Sequence, residues 1–190
     1  LQQADAEQKI LSFVNTYKPD PFAEKALINV ANYYFDEREY ALADEYFKKV
    51  NTNSLSAAQR SEVQFKKGYI YFNNNEYGKA RQQFESVKNI KNDYYLPANY
   101  YLPLCYSYKG DYNKAIPYLE KVESSRRYSR YIPSYLAQIY YQQEQYDRLI
   151  QYAPAKLKER SVQEKDKIAY VLGLAYIEKG DYKQALPYLE

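Results

Sequence analysis

Histidine, tryptophan and methionine are absent from this 190-residue sequence, cysteine occurs once, and glycine occurs five times. Without histidine there is no imidazole base and no histidine metal ligand, which removes the commonest acid–base chemistry at neutral pH. The lone Cys105 excludes an internal disulfide and a four-cysteine zinc site. Five glycines leave little material for phosphate-cradling loops, and nothing in the composition calls for a cofactor or a metal. No run approaches the roughly 18 apolar residues of a membrane-spanning helix. Lysine and arginine number 27 against 24 acidic residues, so no whole-surface field directs the chain to nucleic acid or to an anionic membrane. The chain opens at Leu1 without a methionine or a signal-peptide pattern and stops at Glu190 inside an expected helix. It therefore reads as a piece of a longer protein.

What is abundant is tyrosine, with 27 residues, and it recurs periodically. Anchor tyrosines stand at Tyr40, Tyr77, Tyr112, Tyr146 and Tyr182, spaced 37, 35, 34 and 36 apart. Six residues before each anchor is a second tyrosine: Tyr34, Tyr71, Tyr106, Tyr140 and Tyr176. Nine before lie Ala31, Gly68, Pro103, Ala137 and Gly173, mostly small. Three after come Ala43, Ala80, Ala115, Leu149 and Ala185, and seven after come Phe47, Phe84, Leu119, Ala153 and Leu189. These offsets place the small residue and its tyrosine on one face of a first helix, and the alanine and large apolar residue on one face of a second. The small slots let paired helices approach closely. Between the helices lie polar turns, with Gly110 and Gly180 suited to end a helix and Asp111 and Asp181 suited to cap the next.

The period and the small…Tyr…Gly-Asp-Tyr…Ala…Phe pattern resemble the tetratricopeptide repeat family. The resemblance implies an all-α, right-handed superhelical solenoid of antiparallel helix pairs. On this reading residues 1–190 form a single solenoid. Residues 2–17 are the last helix of a preceding repeat, with Ile10, Leu11 and Val14 as its buried stripe, followed by a Tyr17-Lys18-Pro19-Asp20-Pro21 turn. The repeats then span 22–53, 56–90, 93–125, 129–160 and 162–190. Three departures stand out. Pro103 occupies a small slot and should kink its helix. Pro154 should leave the second helix of the fourth repeat short or bent. The next helix is expected to begin near Val162.

The resemblance implies a non-catalytic scaffold that binds a peptide, helix or partner domain in a concave groove lined by the first helices. Spacing puts Ile28, Asn32, Phe35, Phe65, Tyr69, Phe72, Tyr100, Leu104, Ser107, Gln138, Tyr141, Tyr170 and Leu174 on that face, with Ser134 and Ile177 at equivalent positions. Such an aromatic strip favours binding by burial, with hydroxyls and amides giving direction. The competing structural reading is that these rings pack between neighbouring repeats. The carboxylate clamp of chaperone-binding relatives is not expected, because Ile28 and Phe65 stand where it needs cations. The segment Arg126-Arg127-Tyr128-Ser129-Arg130-Tyr131 interleaves basic and aromatic residues within a stretch, 51–130, of net charge +6. Arg126, Arg127 and Arg130 are candidate anion contacts, weighed against a solvated inter-repeat turn; no nucleic acid partner is expected. Cys105, beside a core-facing tyrosine, reads as packing. The alternative function is a regulatory or targeting module whose catalytic or DNA-binding domain lies elsewhere in a longer protein. By resemblance alone, the periplasmic side of a bacterial cell envelope is the expected location.

Overall fold

A computed structural model describes residues 2–17 and 20–190, with side chains of the first helix from Gln8 onward. Lys18 and Pro19 of the expected first turn lie outside the described residues. Eleven α-helices and no strand occur among the described residues: α1 Gln2–Tyr17, α2 Pro21–Asp36, α3 Tyr40–Lys49, α4 Ala57–Asn73, α5 Tyr77–Val87, α6 Tyr95–Ser107, α7 Tyr112–Glu123, α8 Ile132–Gln142, α9 Tyr146–Lys158, α10 Lys165–Glu178 and α11 Tyr182–Leu189. They form two compact units, one ending at Tyr101 and one running from Leu102 to Glu190. In the first, α1 packs on α2, α2 on α3, α3 on α4 and α4 on α5; in the second, α7 packs on α8, α8 and α9 on each other and on α10, and α10 on α11. Val14 of α1 is buried in the first core, with Ile10 and Leu11 packed against it.

The five turns that close these hairpins share one backbone solution. The residue two before each anchor tyrosine is left-handed: Arg38, Asn75, Gly110, Glu144 and Gly180, with φ between 55° and 76°. The next residue's N–H donates to the carbonyl of the tyrosine five back, as in Glu39 to Tyr34 (2.8 Å) and Asp181 to Tyr176 (2.8 Å). The left-handed residue's own N–H reaches three back, as in Glu144 to Tyr141 (2.9 Å). This is the Schellman closure, which satisfies the last carbonyls of the first helix. Glycine fills the left-handed position at no steric cost in two turns only. A non-glycine residue there costs about 1–2 kcal/mol, partly offset by glycine's greater unfolded entropy. Glu144→Gly is therefore expected to raise stability by about 0.5–1 kcal/mol, read as a higher thermal midpoint. An unchanged or lower midpoint would contradict this account. Of the two aspartates suited to capping, Asp181 accepts from the Gln184 N–H at 3.2 Å. Asp111 instead pairs with Lys114 at 3.3 Å.

A tyrosine six after the anchor completes the hairpins. Tyr34 stacks on Tyr46 (5.6 Å, 13°), Tyr106 on Tyr118 (6.0 Å, 16°) and Tyr176 on Tyr188 (5.9 Å, 11°), while Tyr140 meets Tyr152 edge-on at 5.5 Å. In the second repeat Gln83 takes the place of this partner. There Gly68 lets the buried Phe84 ring press onto the helix backbone: a Cβ on Gly68 would lie 2.7 Å from Phe84 Cε1 and 3.1 Å from Gln83 Cβ. At Gly173 the neighbour is the partly exposed Leu189 side chain, 2.6 Å from an added Cβ. A leucine near a helix end can turn away, whereas an enclosed ring cannot. Alanine gains about 1 kcal/mol over glycine in a helix interior, and overpacking costs about 1–3 kcal/mol. Gly68→Ala is thus expected to destabilise the chain by up to about 2 kcal/mol, while Gly173→Ala stabilises it by up to about 1 kcal/mol. Urea titration of the two variants checks the opposite signs; equal shifts would refute the distinction.

Two expectations about helix bounds need correction. Pro154 does not shorten its helix: α9 runs through it for 13 residues. Leu149 and Ala153 on its inner face are fully buried, and this packing together with the Tyr140–Tyr152 contact outweighs the missing backbone bond. Helix α10 begins at Lys165, not near Val162. Val162 is spent instead as a buried plug before the left-handed Glu164. Pro103 lies buried within α6.

Buried polar groups fix the inter-repeat connections. Glu24 is fully buried in α2, and its Oε2 accepts the Asn51 N–H at 2.8 Å, tying α2 to the link after α3. Asn99, also fully buried, donates to the carbonyls of Lys88 (2.8 Å) and Tyr95 (2.7 Å). Ser56 and Gln59 form a capping box at the start of α4. Cys105 is buried in α6.

Candidate functional site

In the first unit the strip residues of α2, α4 and α6 come together as one aromatic cluster. Phe35 meets Tyr69 at 5.6 Å, Tyr69 meets Phe65 at 6.4 Å, and Tyr101 receives Tyr69 (5.3 Å), Phe72 (5.2 Å) and Tyr100 (5.1 Å). All of these rings are half-buried. They join neighbouring repeats and stay partly exposed. Ile28 departs from the expectation: it is 4% exposed and belongs to the core cluster of the first unit, because its side of α2 is covered by neighbouring residues.

Beside the rings sits a polar cluster. Asn32 donates through Nδ2 to Glu62 Oε1 (2.8 Å) and accepts from Lys66 Nζ (2.8 Å), while Lys66 pairs with Glu62 at 3.2 Å and lies 5.1 Å over the Phe35 ring. The Tyr94 hydroxyl bonds to Glu62, and burial first, then that carboxylate, pushes it up to about 12. With Asn32 engaged in this way, its amide is committed within the cluster. Glu62, Lys66, Tyr94 and Tyr101 were not marked by the sequence pattern. Lys66 and Glu62 are an i, i+4 pair on the first helix of a repeat, and that spacing is the signal available for them.

In the second unit, Gln138 and Tyr141 on α8 and Leu174 on α10 are half-buried, and Tyr170 is 58% exposed. Ser107 at the end of α6 and Ser134 in α8 are buried and offer no surface, since both lie against the packed side of their helices. Leu104 is half-buried. Gln138 Nε2 donates to Ser134 Oγ (3.1 Å), and Ser134 Oγ donates to Glu164 Oε2 (2.9 Å). The Glu164 carboxyl is held below its usual range by the Lys167 ammonium and by Ser134. As in the first unit, an amide one residue after the small slot is linked to a carboxylate from the next repeat. Arg126, Arg127 and Arg130 are exposed on the loop before α8, the Tyr128 ring is buried, and Tyr131 is 53% exposed. Among the described residues no cluster of three or more acidic or cysteine side chains is arranged to hold a metal, and no helix is long and apolar enough to cross a membrane.

The helix pairs and their small-slot contacts define an all-α tetratricopeptide-type fold, and comparison with known proteins agrees. The family model for the tetratricopeptide repeat matches residues 61–94, and that for subunit 3 of the anaphase-promoting complex (cyclosome) matches residues 108–190. Among solved structures, MamA in its AMB-1 P212121 form is similar at 17% identity, with 89% of each chain covered and a TM-score of 0.71. MamA in its MSR-1 C2 form is similar at 17% identity over 87% of this chain and 92% of that one, with a TM-score of 0.67. YrrB, described as a TPR protein with an unusual peptide-binding site, is similar at 18% identity over 94% of this chain and 88% of that one, with a TM-score of 0.69. No curated protein sequence matches the chain. The chain has the fold of tetratricopeptide-repeat proteins, and residues 61–94 match the model of that repeat.

Proposed function

We propose that this chain is a non-catalytic scaffold for protein–protein interaction, taking a peptide, a helix or a partner domain on the outward faces of its first helices. The observation that carries the reading is the partly exposed aromatic cluster of α2, α4 and α6 beside the Asn32–Glu62–Lys66 network. Rings already held by their neighbours present a large contact area at little entropic cost, and the fixed polar groups beside them supply direction. The likeness to YrrB, whose description names a peptide-binding site, supports the same reading. So does the absence of histidine, which leaves binding rather than acid–base chemistry as the work of these faces.

Peptides selected from a random display library on the folded chain test it. Each is expected to lose at least tenfold in affinity on Tyr100→Ala, in the first unit, or on Tyr170→Ala, in the second. Peptides that bind both variants as tightly as the parent, or a selection that yields none, would sink the reading. The envelope location rests on resemblance alone, and fractionation against periplasmic and cytoplasmic markers tests it.

A further inference from the structure

The loop between α7 and α8 carries three arginines within five residues. Arg126, Arg127 and Arg130 line a cleft of about 470 Å³ together with Ser129, Tyr131 and Ser161. All three guanidinium groups are on exposed residues, and among the described residues no carboxylate lies within ion-pairing distance of them. The acidic side chains of the adjoining cleft, which shares Ser129 and Ser161, are engaged elsewhere. Glu120 takes Arg148 and the Tyr140 hydroxyl, Glu123 takes Lys156 and the Tyr152 hydroxyl, and Glu159 takes Lys156. The fold therefore concentrates positive charge in one cleft while the neighbouring carboxylates are satisfied by other cations.

The loop is also held in place. The N–H groups of Tyr128 and Ser129 donate to the Ser125 carbonyl at 2.9 and 2.8 Å, and the Tyr128 ring is buried beneath. The Arg130 carbonyl accepts the Gln163 N–H at 2.8 Å, which pins this loop to the one before α10. Tyr131 stands at the amino end of α8, whose first turn has no side-chain cap. A negative charge there is favoured by the helix dipole. Arginine forks carried on this held loop beside hydroxyls match the oxygens of a phosphate, and holding the loop beforehand lowers the entropic cost of binding.

We propose that this cleft binds a phosphomonoester dianion presented by a protein segment, that is, a phosphorylated serine or threonine of a partner. Only the protein origin of the phosphate rests on the scaffold reading; the anion site does not. A nucleic-acid track would need a run of phosphate contacts with several stacking rings. Here a single exposed ring, Tyr131, accompanies the arginines, and residues 131–190 carry no net charge.

The probe is N-acetyl-O-phosphoserine methylamide, followed through the arginine side-chain Nε–H resonances. It is expected to shift the signals of Arg126, Arg127 and Arg130, while the capped serine and chloride at equal ionic strength do not. Binding should weaken severalfold from pH 7.5 to 5.5 as the phosphate, with its second pKa of about 6, takes up a proton. The Arg126→Gln, Arg127→Gln, Arg130→Gln variant should lose at least tenfold with a thermal midpoint lowered only slightly, since among the described residues these side chains hold no ion pair and Arg127 alone lies over a ring, 5.6 Å from that of Tyr128. A seven-residue peptide carrying one phosphoserine should bind at least as tightly as the capped residue and more tightly than inorganic phosphate. Shifts no larger than those with chloride would overturn the site. Inorganic phosphate binding more tightly than the peptide would overturn the protein origin. Displacement of the probe by decauridylate at lower concentration would assign the cleft to nucleic acid instead. Failure of the Tyr100 and Tyr170 variants to affect peptide binding would leave these measurements untouched.

Discussion

Replacing Phe84 by alanine is expected to remove about 3–5 kcal/mol of stability, the range for deleting a fully buried phenylalanine. That is a large share of the roughly 5–15 kcal/mol by which such chains are stable. The ring sits where three helices meet. It fills the notch at Gly68 on α4, packs 5.7 Å from Phe65, and stacks on Tyr101 of α6 at 5.7 Å and 20°. The second hairpin has Gln83 in place of the usual tyrosine, so no stacked pair compensates for the loss of this ring. In a repeat array, stability is a sum of unit and nearest-neighbour terms, and Phe84 contributes to both kinds. The contact also predicts a coupling. Phe84→Leu removes the ring that an added Cβ on Gly68 would strike, so Gly68→Ala, destabilising in the parent, becomes neutral or favourable in that background. A double-mutant cycle in urea should give an interaction of about 1–2 kcal/mol. A loss below about 1.5 kcal/mol for Phe84→Ala, or additive behaviour in the cycle, would show that Phe65 and Tyr101 collapse into the space.

The chain is also expected to unfold cooperatively between pH 10 and 12. Tyr71 and Tyr94 are pushed up to about 12, first by burial and then by Asp44 and Glu62, to which they hydrogen-bond. Tyr140 and Tyr152 are pushed higher, again by burial and then by Glu120 and Glu123. A raised folded-state pKa means that the folded form holds its proton more tightly. Below pH 10 both states are protonated and the full stability is present. Above it the unfolded chain ionises first, and stability falls until the folded pKa is passed. Each tyrosine contributes at most about 1.4 kcal/mol per pH unit, and solvent at the half-exposed Tyr94 lowers its share. Four together are enough to exhaust a marginal stability. Replacing Tyr140 and Tyr152 by phenylalanine should flatten the fall in urea midpoint between pH 9.5 and 11.5. If tyrosinate absorbance rises fully near pH 10 while helical content is retained, the hydroxyls are not protected in this way.

The helix pairs were legible because their determinants are local and repeated. An alanine or glycine nine before a tyrosine, and a Schellman turn between, recur often enough to reveal the period even where glycine is replaced by Arg38, Asn75 or Glu144. A tyrosine six after the anchor, at Tyr46, Tyr118, Tyr152 and Tyr188, recurs in four of the five repeats and is a further local determinant of the hairpin. The polar linkages were less visible. Glu24 and Asn51, or Asn32 and Glu62, lie some thirty residues apart, and their meeting depends on how one repeat is set against the next. Pro154 was misread because local propensity was allowed to outweigh the packing of Leu149 and Ala153. Ile28 and Ser107 were misread because a face assigned by spacing alone does not say how much of it the neighbouring helix covers.

The tyrosine clasp has a mechanical consequence. Each stacked pair joins residues only twelve apart, as Tyr34 does with Tyr46 and Tyr176 with Tyr188, so each hairpin is latched within itself. Pulled by its ends, such a chain is expected to yield in steps rather than rupture at once, each hairpin paying out on the order of 100 Å of extended chain. The second hairpin, clasped through Phe84 and Gly68 instead of a tyrosine pair, should release at a force of its own, a distinct tooth in an otherwise regular ratchet.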